Sequence, residues 1–85
     1  MKAIERIVVD PKIMVGKPII KGTRIPVDAI IMRIADGMTI DEILKDYPKL
    51  TRKDVEAALE YSAMVVRGED IVPVIERERH AISRR

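Results

Sequence analysis

The amino-acid sequence predicts a mainly α, trihelical helix-turn-helix domain with a small N-terminal β-hairpin over residues 1–68, followed by a C-terminal tail over residues 69–85. Three observations predict it. Thr39 is followed three residues later by Glu42, and Thr51 three later by Asp54, so each hydroxyl can accept from an orphan helix amide while the acid answers back. Between these two helix starts stands Tyr47-Pro48-Lys49-Leu50, and the residue before a proline avoids helical geometry. Gly37 and Gly68 each follow an apolar-periodic run at the position where a left-handed stop is needed.

In chain order, Ile4 to Val9 is rich in β-branched residues and ends at Asp10-Pro11, a turn opener, so it reads as a short strand. Lys17 to Pro26 holds two short β-prone runs around Lys21-Gly22, where glycine supplies the positive φ of a tight turn and the prolines keep the ladder short. This is the expected hairpin. Val27 to Asp36 sets Val27, Ile30, Ile31 and Ile34 on one stripe of a first helix. The second helix carries Ile40, Ile43, Leu44 and Tyr47 on one face, and the third carries Val55, Ala58, Leu59, Ser62 and Val66. Pro73 prevents simple continuation of the third helix into the tail.

Composition narrows the function classes. The chain has 85 residues, enough for one domain but for a small core, so self-association as a homodimer is expected. Without Phe or Trp, and with only two Tyr, it lacks the aromatic platform that stacks single-stranded bases. The absence of Cys removes disulfides, thiolate metal sites and cysteine nucleophiles. His80 is the only histidine and stands in a charged tail, and the acids are scattered, so no catalytic set, metal site or cofactor site is assembled. No apolar run approaches the ~20 residues of a membrane span, which points to the cytoplasm. Charged residues make up 35% and Asn and Gln are absent, a composition expected of a thermophilic source. The net charge is only +2, but the segment from Met1 to Arg24 carries six basic residues against two acidic ones.

Three sets of residues are candidates for binding. The first is a DNA-facing set. Lys17, Lys21, Thr23 and Arg24 lie around the basic turn, where Arg24 either holds a phosphate bidentately or ties Asp10 or Asp28. Thr51, Arg52 and Lys53 open the third helix, where a major groove would be read, although Asp54, Glu56 and Glu60 on the same helix repel phosphate. The second set, Ala57, Tyr61 and Met64, is either the flank of the core or a dimer seam. The third lies in the tail: Ile71, Val72, Val74 and Ile75 either dock on a partner or stay solvated, with arginines beyond them to meet acidic groups.

GKPIIKGTRIPVDAII, then ADGMTIDEILKDYPKLTRKDVEAALEYSA, then IVP resemble the small prokaryotic family called Domain of Unknown Function 433, whose members resemble VapB-type antitoxins. The motif positions are Gly16, Lys17, Pro18, Gly22, Thr23, Arg24, Pro48, Leu50 and Thr51. The resemblance implies a homeodomain-like or winged-helix-like domain that binds its own double-stranded operator. It also implies a PIN-like ribonuclease toxin as partner, neutralised by the C-terminal segment. The active site of such a nuclease is a carboxylate cluster around a divalent metal, which makes Arg77 and Arg79 the first candidates to compete there. The rival expectation is a protein-interaction module that keeps the helix-turn-helix only as a scaffold, without DNA binding.

Overall fold

In the computed structural model, which describes residues 2–69 and 71–75, the chain begins with strand β1, Lys2–Val9. Its Ile4, Ile7 and Val8 are buried. Strand β2, Pro18–Ile20, runs antiparallel to it, pairing Ile7 with Ile20, Val8 with Ile19 and Val9 with Pro18. The N-terminal antiparallel pair is therefore present, but its two strands are joined through residues 10–17. Around Lys21-Gly22, where the sequence places the hairpin, only a single bridge between Ile19 and Pro26 forms. Prolines at both ends withhold amide donors there. The turn is held instead by Thr23, whose hydroxyl donates to the Ile20 carbonyl at 2.8 Å and accepts from the Ile25 amide at 3.0 Å.

Three helices follow: α1, Val27–Ala35; α2, Ile40–Asp46; and α3, Arg52–Arg67. Both expected capping boxes are complete. Thr39 accepts from the Glu42 amide and Thr51 from the Asp54 amide, while each acid accepts from its threonine's backbone amide. Gly68 ends α3 at φ +76, the left-handed stop anticipated from the sequence. Arg33 and Asp46 pair across the ends of α1 and α2, and the Arg33 guanidinium lies 4.7 Å from the Tyr47 ring centroid. Tyr47 is the main cause that raises the Arg33 pKa above its ordinary value; desolvation opposes it, and Asp46 adds a smaller upward contribution.

The tail expected from residue 69 is in part a third strand. β3, Ile71–Ile75, runs parallel to β1, giving the sheet order β2-β1-β3. Its register breaks between Ile4 and Val8 of β1, next to Pro73, which has no N–H for the ladder. Ile71, Val72, Val74 and Ile75 thus belong by their backbone to the sheet of the same chain. Arg77 and Arg79 lie outside the described residues.

The core forms where the helices cover the sheet: Ile4, Ile7 and Ile20 meet Val27, Ile30, Ile43, Leu50, Val55, Ala58 and Met64. Here α3 is rotated from the expected stripe. Met64 is 2% exposed, with Ala57 and Tyr61 packed against the core, whereas Leu59 and Val66 are exposed. The cause is the sheet. A helix packed only on its neighbouring helices would bury the Leu59 side, but β1 lies against α3 and draws the Ala57–Tyr61–Met64 side inward. Met64 is thereby used up inside the chain, so it cannot form the dimer seam envisaged for it.

Candidate nucleic-acid interface

The turn after β2 and the connection between α2 and α3 are 25 residues apart in sequence, yet they line one cleft of about 510 Å³. Lys21 and Arg24 come from the first and Lys49 from the second. The backbone explains the convergence. Gly22 at φ +80 turns the chain back between Ile20 and Ile25, whose amide and carbonyl bond at 3.0 Å. On the other side, Leu50 donates to the Tyr47 carbonyl at 2.9 Å and buries its side chain, which leaves Lys49 exposed at the tip. Two rigid turns therefore present three cations to one concavity.

Charge pairing separates these cations from the others. Among the described residues, Lys21, Arg24 and Lys49 form no salt bridge. Of the two carboxylates considered for Arg24, Asp28 accepts from Lys17 at 3.0 Å, and Asp10, which lines the cleft, accepts from the Lys12 amide at 2.9 Å. With no carboxylate bonded to it among the described residues, Arg24 offers its planar fork to a phosphate.

The remaining sequence candidates do not all join this set. Lys17 sits beside α1 through its bond to Asp28. Thr23 is occupied at both lone pair and proton by the turn it closes. Arg52 donates to Asp41 at 2.7 Å, tying α3 to α2, and Thr51 is the α3 cap. Lys53 faces a different groove, of about 540 Å³, in company with Arg6, Glu5, Glu56 and Glu60. Lys49 is the residue the sequence did not single out. Its role depends on the approach of a turn distant along the chain, and no local pattern announces that.

A second polar feature lies close by. Asp54 is 7% exposed, the one buried charged residue among those described. Its Oδ1 accepts from Arg6 of β1 at 2.8 Å and its Oδ2 from the Thr51 amide at 2.9 Å. The start of α3, which adjoins Lys49, is thus fixed to the central strand. Among the described residues no three His, Cys, Asp or Glu side chains are grouped as a metal site, and no helix is long and apolar enough to cross a membrane.

Comparison with known proteins agrees with this architecture. The chain is similar to the crystal structure of a DUF433 member protein from Anabaena variabilis, with a TM-score of 0.68 and 33% identity over 71% of this chain. It spans 59% of the length of that solved chain. An uncharacterized protein of Archaeoglobus fulgidus is 81% identical over 26 residues, 31% of this chain and 72% of that one. The model of the family described as protein of unknown function, DUF433, matches residues 7–62, and the chain belongs to that family.

Proposed function

We propose that this protein is a binding protein rather than an enzyme, a helix-turn-helix regulator that holds double-stranded DNA by its phosphates. The observation that carries the reading is the convergence of Lys21, Arg24 and Lys49 on one cleft beside the start of α3, without a salt-bridge partner among the described residues. In this reading α2, the Tyr47–Thr51 turn and α3 form the helix-turn-helix. The cleft grips the backbone, and the first turn of α3 approaches the groove.

Binding to DNA from upstream of the gene, followed by fluorescence anisotropy at several salt concentrations, tests the proposal. Each phosphate contact contributes ~0.9 to the slope of log affinity against log salt. Alanine at Lys21, Arg24 and Lys49 together should weaken binding and flatten that slope by ~2–3. No binding at low salt, or a triple variant with an unchanged slope, refutes it.

The antitoxin role rests on the family resemblance. In it, the segment after α3 engages a PIN-like ribonuclease encoded nearby: β3 is an edge strand that a partner can extend, and Arg77 and Arg79 follow it. Unimpaired ribonuclease inhibition by an Arg77→Ala/Arg79→Ala variant would remove those arginines from the role. A second reading, a protein-interaction module without DNA binding, draws support from α3 itself, where Arg52 is held by Asp41 and Glu56 and Glu60 are exposed. Co-purification with the nuclease and no retention on DNA would select it.

A further inference from the structure

The apolar stripe of helix α3 extends beyond the part of it that the fold covers. Past the buried Val55 and Ala58, and within the same stripe, run Leu59, 39% exposed, Val65, 53% exposed, and Val66, 85% exposed. An apolar stripe that continues into water is stable as part of a structure that covers it. Beside the valines lies a groove of about 300 Å³ between the start of β2, the first turns of α1 and the second half of α3. Pro18, Val27, Ile31 and Tyr61 line it, together with Val65 and Val66 themselves.

We propose that this face is covered by a second copy of the chain, related by a two-fold axis, with Val66 of each copy seated in the groove of the other. Three properties of the face select a second copy. The first is shape. A two-fold interface needs one patch that is its own complement, and here Val66, the most exposed apolar side chain of α3, stands at the border of the apolar depression, a projection beside its hole. The second is charge. The charged groups at the groove, Lys17 and Asp28, are one of each sign, both more than half exposed and joined at 3.0 Å. A copy approaching in the two-fold sense brings Asp28 towards Lys17 and Lys17 towards Asp28, so the pairs can exchange without leaving a charge uncompensated. The third is composition. Pro18, Val27, Ile31, Val65, Val66 and one tyrosine make up most of the groove lining, which matches the apolar centre of a homodimer interface.

This seam shares Tyr61 with one through Ala57, Tyr61 and Met64 but leaves out Met64, which is inside the chain. It stands independently of nucleic-acid binding, since Lys21, Arg24 and Lys49 line a different cleft.

The test is sedimentation velocity of the full chain across ~1–100 μM, a range that brackets a micromolar dimer. The wild type should sediment as a dimer at the upper end. Val66→Asp should raise the dissociation constant at least ~10-fold, equivalent to ~1.4 kcal/mol or more, while its helical circular dichroism stays unchanged because the side chain is exposed. Lys45→Ala, on the exposed side of α2, should dimerise as the wild type does. The chain contains no cysteine, so single Ile31→Cys and Val66→Cys variants can be mixed and oxidised. The mixed disulfide between the two variants is the expected product, since it requires the valine of one copy in the groove of the other. A wild type that remains monomeric throughout, a Val66→Asp variant that associates as tightly as the wild type, or no mixed disulfide would each overturn the proposal.

Discussion

Arg6 of β1 donates to Oδ1 of Asp54 at 2.8 Å, and the other oxygen of that carboxylate accepts the amide of Thr51. One buried acid therefore caps α3 and fastens it to the central strand. Asp54→Ala should lower stability by ~2–4 kcal/mol, because it removes the box and leaves the Arg6 guanidinium without its partner. Asp54→Asn, which retains an acceptor for the Thr51 amide, should lose less. Urea midpoints of the two variants check this, and equal losses would mean that the cap contributes nothing.

The rotation of α3 gives two leucine-sized side chains opposite fates. Met64→Ala should cost ~2–5 kcal/mol, as deletion from a packed core does. Leu59→Ala should cost less than ~1 kcal/mol in the monomer, since its side chain already meets solvent. At ~4–8 °C per kcal/mol for a domain of this size, thermal melts at low protein concentration distinguish them. Similar melting temperatures would restore the stripe first expected from the sequence.

Lys49 and Arg52 lie three residues apart but differ in their commitments. Lys49→Ala should reduce the salt dependence of DNA binding by ~1 in slope. Arg52→Ala should change it less, because that guanidinium is already bonded to Asp41. Salt titrations of the two single variants against the same duplex decide between them, and the reverse order would place the phosphates along α3 instead of in the cleft.

Met14 and Val15 both have positive φ, 53° and 56°, in the short turn that ends at Gly16, and Val15 is 97% exposed. A β-branched residue in this region is strained by ~1–2 kcal/mol, and here no burial offsets it. Val15→Asn, a residue that tolerates the left-handed region, should raise the melting temperature by several degrees at ~1 kcal/mol gained. An unchanged or lower melting temperature would show that the turn is not held in this conformation.

The parts legible in the sequence are those decided by neighbours along the chain. Thr39 with Glu42, Thr51 with Asp54, and Gly68 after Arg67 act within one turn of helix, and each appears as read. What escaped depends on distant residues. Ile71–Ile75 looks like an isolated apolar cluster until β1 is known to have an edge to offer. The orientation of α3 depends on that same strand, so Leu59 and Val66, expected on the buried stripe, are exposed. The cleft was half visible: Lys21 and Arg24 lie within one turn, but Lys49 joins them only through tertiary packing.

The sheet order β2-β1-β3 places the first strand made between a partner that begins at residue 18 and one that begins at residue 71. During synthesis, β1 and β2 can pair while one flank of β1 still displays open amides and carbonyls, and these stay open until residues 71–75 have emerged. A nascent chain halted at Gly68 would hold all three helices and still have a templating edge along Lys2–Val9, which makes the last described strand the step that seals the first.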